Sequence, residues 1–236
     1  MKKRVILIFC IAILILTSAS AQKISHSLWD QLLKKYVNKE GKVNYKGFKD
    51  DALFQKYIGI LQANEPESSW SRNEQLAYWI NAYNAFTIKL IVINYPLKSI
   101  RDIENAWDKV FIKIEKSSYS LNDIEHNIIR KKFNEPRIHF ALVCAAYSCP
   151  FLRNEPYIAA KLDSQLNNQA VQFINDPKRN KIAKDQIRIS KVFSWFKDDF
   201  TMKGSLIQYL NKYSKVKINT DAKVEFLEYD WTLNSL

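Results

Sequence analysis

The chain has 236 residues, of which 47% are hydrophobic and 25% charged. That is a globular composition and argues against general disorder. Six Trp, twelve Tyr and thirteen Phe can fill a sizeable core, and only four Gly are present. So few glycines argue against a Rossmann loop or a Gly-rich β-repeat, and the G-x-G-x-x-G and G-x-x-x-x-G-K-[ST] patterns are both missing, which excludes nucleotide binding through those loops. The formal charge is +12. Its carriers (Lys34-Lys35, Lys131-Lys132, Lys178-Arg179) are scattered and make no stripe, so no nucleic-acid partner is expected.

Residues 1–21 read as a secretory signal. Lys2, Lys3 and Arg4 precede the apolar run Val5 to Leu16, and Ala19-Ser20-Ala21 supplies the small residues of a cleavage site. Export to the periplasm or beyond is therefore expected, with the mature domain spanning 22–236. Loss of three positive charges takes +12 to +9. No second apolar stretch is expected to be long enough to span a membrane. The mature chain keeps Cys144 and Cys149, a disulfide pair if oxidised, and His26, His126 and His139.

The spacing of Leu28, Leu32, Leu33 and Tyr36 predicts a helix from Leu28 to Val37, followed by an extended piece at Val43-Asn44-Tyr45 and a helix from Phe54 to Leu61. Ser71-Arg72-Asn73-Glu74 is a capping box, and a helix from Gln75 to Asn94 follows, with Pro96 preventing continuation. Its middle is apolar nearly all round, which predicts a central, buried helix. Asn81 and Asn84 share a face there and need specific partners. A strand is expected from Lys109 to Glu115. Ser120 opens a helix from Asn122 to Phe133, with His126 and Arg130 one turn apart. Arg137 to Cys144 reads as a strand buried on both faces, and the loop Ala145 to Pro150 follows it. Further elements are a helix from Asn154 to Asn175, a strand from Gln186 to Ser190, helices at Val192–Phe200 and Leu206–Tyr213, and a last strand from Lys223 to Tyr229. The fold class is α+β: a single domain with a long buried central helix packed on a small sheet.

These segments together resemble the DUF547 family, a domain of unknown function. The resemblance rests on Leu76-Ala77-Tyr78-Trp79-Ile80-Asn81-Ala82-Tyr83-Asn84-Ala85, Ile124-Glu125-His126 with Ile129-Arg130, and Pro136 through Ala145. Ser148-Cys149-Pro150, Tyr229-Asp230-Trp231 with Asn234, and Gly41 to Tyr45 also fit. The resemblance implies exported bacterial members, and eukaryotic members joined to coiled-coil, glutaredoxin or DEP modules, with no established reaction. Some members carry Ser in place of Cys149, which makes Cys144 the better landmark. A more distant likeness is to papain-like or transglutaminase-like thiol enzymes.

The chemistry available is that of a thiolate, an imidazole and an orienting group. Cys144 is the expected nucleophile, with Cys149 the runner-up, His126 the expected base, and Glu125 or Asp230 the orienting carboxylate. Strand alternation would turn His139 away from Cys144 and leave it a supporting role. Asn81, Asn84, Arg137, Ser148 and Cys149 are candidate substrate-binding residues, with the two amides as oxyanion donors and Arg137 alternatively ion-paired with Glu74 or Glu125. Three classes of function remain open: a thiol-dependent hydrolase or transferase acting on an amide, peptide-like or other small substrate, a noncatalytic exported binding module, and a metal site of His126, His139, Cys144 and Cys149. The spacing of that last set matches no standard zinc pattern, so neither a metal nor any other cofactor is expected.

Overall fold

The computed structural model describes residues 24–236; the expected signal, residues 1–21, lies outside them. Three helices open the fold: α1 (Ser27–Tyr36), α2 (Tyr45–Asp50) and α3 (Ala52–Gln62). They are joined by aromatic packing, with Trp29 of α1 stacked on Tyr57 of α3 at 5.2 Å between ring centroids. The helix α2 was not expected. Asn44 begins it by accepting from the Gly47 amide at 2.9 Å.

Helix α4 (Arg72–Asn94) is central, and the Ser71–Glu74 capping box forms in both directions. Sixteen of its 23 residues are buried. By length and composition this helix is itself capable of crossing a membrane, contrary to the expectation that no such second stretch exists. Here it is sheathed by α2, α3 and the segments at 123–130 and 159–161. The sheet expected beneath it is thus replaced mainly by helical and irregular chain. The hairpin of β1 (Ile112–Ile114) and β2 (Ser117–Tyr119) reaches α4 where Tyr119 meets Trp79, ring centroids 5.7 Å apart.

Asp123–Arg130 winds as a π-helix and continues into α5 (Lys131–Phe133). Ser120 and Asp123 cap its start reciprocally, at 2.9 and 3.0 Å. Asn134, in the left-handed region at φ 44°, ends it.

The largest correction concerns Arg137 to Cys144, which is no strand. Pro136–Phe140 forms a 3₁₀ helix and the chain then runs irregularly to Cys144. Pro136 suits a first helical turn, and Glu135 caps it by accepting from the Arg137 amide at 3.2 Å. An apolar run without ladder partners must satisfy its backbone otherwise. Asn84 does this by donating to Ala141 O at 2.9 Å and accepting from Val143 N at 3.0 Å. Gln169 donates to Phe140 O at 3.0 Å.

Helix α6 (Leu162–Ile174) starts later than expected, after a 3₁₀ turn at Ala159–Lys161. The remainder carries a sheet of β3 (Lys181–Ile182), β4 (Gln186–Ile189) and β5 (Lys223–Phe226), with β3 antiparallel and β5 parallel to β4. Between β4 and β5 lie the short helices α7 (Val192–Trp195), α8 (Lys197–Thr201) and α9 (Leu206–Leu210). Two hydrophobic clusters result, one around α4 and one around Phe173, Phe193 and Phe200, and Tyr229 packs against both.

Candidate functional site

Where the two clusters meet, a cleft of about 300 Å³ opens. Glu125, His126, His139, Cys144 and Cys149 line it together. They arrive from three segments: the π-helix, the 3₁₀ helix and the loop after Val143.

That loop is held in an uncommon shape. Ala145 has φ 60°, which costs a non-glycine residue roughly 1–2 kcal/mol. The carboxy-terminal tail maintains it: Asn234 N donates to Ala145 O at 2.9 Å, Tyr147 N to Thr232 O at 2.7 Å and Ser148 N to Asp230 O at 3.1 Å. From the other side Arg179 donates to the carbonyls of Tyr147 and Cys149, both at 2.9 Å.

Both cysteines are free thiols. Cys144 is half-buried, and its Sγ lies 3.2 Å from the Tyr229 hydroxyl. A hydrogen bond from the Cys149 thiol, assisted by Tyr229 and opposed by burial, brings the Cys144 thiol below its ordinary value. Burial, then the neighbouring Cys144, pushes Cys149 up. Cys149 Sγ also accepts from the Cys144 amide at 2.9 Å. The two sulfurs thus have distinct roles: one disposed to ionise, the other to stay protonated and donate.

Among the described residues no hydrogen bond joins either sulfur to an imidazole. The histidines belong to a separate polar chain. Arg130 binds Asp199 through two nitrogens, at 2.7 and 2.9 Å. It also donates to His126 Nδ1 at 2.9 Å. An arginine only donates, so Nδ1 of His126 is bare and the proton sits on Nε2. Burial, reinforced by the Arg130 charge, lowers the His126 pKa. With no free lone pair, His126 does not suit the base role expected of it and suits a hydrogen-bond donor instead.

His139 is the converse. Its Nε2 lies 2.7 Å from Asp199 Oδ2, which accepts, so Nε2 carries the proton. Its Nδ1 is buried without a hydrogen-bond partner and lies 4.0 Å from Glu125 Oε1. The ring stacks on Phe196 at 3.8 Å between centroids. Burial lowers the His139 pKa although Asp199 opposes it, so a bare nitrogen is available near neutral pH. Burial raises Asp199, but hydrogen bonds from His139 and Arg130 outweigh it and hold the carboxylate well below its ordinary range. Glu125 accepts from Tyr83 at 3.0 Å, and burial raises its pKa to about 7.

Four predicted site residues lie elsewhere. Asn81 is engaged with the Tyr157 backbone at 2.7 and 3.0 Å. Asn84 holds the 141–143 backbone. Both amides are therefore committed to loop backbones and do not line the cleft. Arg137 pairs with Glu135 and Asp163 at 2.7 and 2.8 Å, rather than with Glu74 or Glu125. Ser148 Oγ accepts from the Asp230 amide at 2.9 Å. Asp230 itself caps Thr232 and orients no imidazole.

The orienting carboxylate is Asp199, which the sequence reading missed. Asp198-Asp199 looks like any solvated helix start, and only the folding of α8 against the 3₁₀ helix singles it out. Also missed were Trp107, Trp195, Phe196 and Trp231, which wall the cleft. Tryptophans spread over more than a hundred positions carry no local signal of convergence. Among the described residues no three His, Cys, Asp or Glu side chains form a metal-holding group.

Residues 67–174 match the family model described as "Protein of unknown function, DUF547". No curated protein and no solved structure matches the chain.

Proposed function

Residues 67–174 match the DUF547 family, whose description names no activity, and from the site itself we propose a thiol-dependent hydrolase or transferase acting on an amide or peptide-like substrate. The observation that carries this reading is the half-buried Cys144 thiol, brought below its ordinary pKa in a cleft that also holds a bare imidazole nitrogen and a carboxyl titrating at about 7. A thiolate on Cys144 attacks the substrate carbonyl carbon. The His126 Nε2–H faces the developing oxyanion as a neutral donor. As the carbon–nitrogen bond breaks, protonated Glu125 gives its proton to the leaving amine. In hydrolysis, water attacks the thioester as His139 Nδ1 takes its proton, with Asp199 orienting the ring; the carbon–sulfur bond breaks to return the Cys144 thiolate, and the proton passes from His139 to Glu125, 4.0 Å away. The reading includes export after cleavage near Ala21, and a distant kinship with papain-like or transglutaminase-like thiol enzymes is the corresponding structural proposal.

The test is alkylation of the reduced protein by chloroacetamide at pH 7, with the modified peptides mapped by mass spectrometry. Cys144 is expected to react ahead of Cys149, and ester or amide turnover is expected to vanish in Cys144→Ala. Equal labelling of both cysteines, or labelling no faster than a free small-molecule thiol, defeats the enzyme reading. The aromatic walls, with Trp195 and Trp231 stacked at 5.7 Å, then favour the noncatalytic binding module. N-terminal sequencing from the native host that recovers Met1 defeats export.

A further inference from the structure

The chain carries 36 Lys and Arg against 24 Asp and Glu. Its cleft has the opposite character. Among the described residues that line it, none is lysine or arginine, while Asp108 and Glu125 are carboxylic acids. Arg130 is not among the lining residues; it binds Asp199 through two nitrogens and donates to His126 Nδ1. A basic protein that keeps its many cations out of one cleft has left that cleft unsuited to anions.

The walls point the same way. Trp107, Trp195, Phe196, Tyr229 and Trp231 contribute aromatic rings. Trp231 meets Trp107 edge-on at 5.7 Å, and Tyr229 lies 4.6 Å from Trp231. An aromatic face is negative and attracts cations. The chain already uses two of these rings so: the Arg101 guanidinium sits 5.6 Å from the Trp231 centroid and that of Arg130 5.3 Å from the Phe196 centroid. At the rim, exposed Asp108 accepts from Asn122 at 2.6 Å and keeps its other oxygen for a ligand.

We propose that the cleft recognises a ligand presenting an alkylammonium group, bound between the tryptophan rings and Asp108. This deepens the thiol-enzyme reading, since it rests on the same cleft being the substrate site: the substrate is cationic or amine-bearing rather than acidic.

Four probes of one chain length separate the contributions: n-butylammonium, butyltrimethylammonium, n-butanol and butyrate, titrated calorimetrically and by tryptophan fluorescence. The two cations are expected to bind about tenfold or more tighter than butanol, with butyrate weakest. Asp108→Asn keeps the side-chain shape and the Asn122 contact, and is expected to weaken the cations several-fold while leaving butanol unchanged. Butanol binding as tightly as the cations, butyrate binding better than either, or cation affinity unmoved in Asp108→Asn overturns the proposal. The same titrations in Cys144→Ala keep the two readings apart. The cation preference is expected to persist there, so a failure of thiol chemistry leaves it intact, and its own failure leaves thiol chemistry standing.

Discussion

Cys144 and Cys149 stand five residues apart and differ in what surrounds each sulfur. Tyr229 is the external donor, with its hydroxyl 3.2 Å from Cys144 Sγ. Tyr229→Phe keeps the ring and removes that donor. Alkylation of Cys144 at pH 7 is then expected to slow several-fold, while the rate at a pH high enough to ionise the thiol fully stays the same. A pH–rate profile that does not move would mean that Tyr229 contributes only packing. Glu125 makes a complementary prediction about stability. Burial raises its pKa from 4.5 to about 7 in the native protein. Between those values the unfolded chain has lost the proton that the native state keeps, so stability falls as pH rises. The loss totals about 3 kcal/mol, is complete above the native value and is absent below the unfolded one. Glu125→Gln is expected to abolish this slope, measured as the difference in unfolding free energy between pH 4 and pH 8 for variant and parent.

At the scale of elements, α4 and the irregular chain that follows the 3₁₀ helix are joined by one amide. Asn84 takes the place of a neighbouring strand for Ala141 O and Val143 N, and through them sets the position from which Cys144 emerges. Asn84→Ala leaves both groups without partners in a buried setting, at ~1–3 kcal/mol for each. Urea denaturation is expected to show the midpoint falling accordingly, and Cys144 labelling is expected to lose its advantage over Cys149 as the loop loosens. A denaturation curve that coincides with the parent's would show that water replaces the amide. The loop and the carboxy-terminal tail form the other such junction. Asn234 accepts from the Tyr45 hydroxyl at 2.6 Å and donates to Gly41 O at 3.3 Å, so the tail ties the first turn of the fold to the cysteine loop. Gly41 stands at φ 73°, where an added Cβ would lie 2.2 Å from Phe151 Cβ. Both the backbone conformation and the close approach require glycine there.

The whole molecule is needed to make one cleft. The stretch matching the family model ends at residue 174, but Trp195, Phe196, Asp199, Tyr229 and Trp231 lie beyond it. So do two of the three rings packed around Phe140, Phe193 at 5.8 Å and Phe200 at 5.6 Å, the third being Phe173 at 5.2 Å. The fragment 67–174 also lacks Trp29, Phe48, Phe54 and Tyr57, which are buried in the intact chain. Expressed alone, it is expected to unfold without a cooperative transition and to show Cys144 reacting like an ordinary thiol. Cooperative unfolding with selective Cys144 labelling would show instead that this stretch carries its own core and site.

The central helix was legible in the sequence because its causes are local: a capping box, twenty residues of helix-compatible apolar chain, and a proline beyond. The reactive residue types were legible too, since Glu125, His126, His139 and Cys144 are conspicuous polar groups in apolar surroundings. The α+β class followed from counting such segments. What the sequence did not contain was the partner of each group. A continuous apolar run reads as a strand when its neighbours are unknown, yet between Pro136 and Cys144 the backbone is satisfied by Asn84 and Gln169, from positions far away in the chain. The same nonlocality hid Asp199, the tautomers of both imidazoles and the convergence of four aromatic walls. A hydrogen bond from Arg130 removes the lone pair that would make His126 a base, and one to Asp199 leaves His139 with it. Local sequence determined which groups were available; tertiary contacts decided the partner of each and which atom carries the proton.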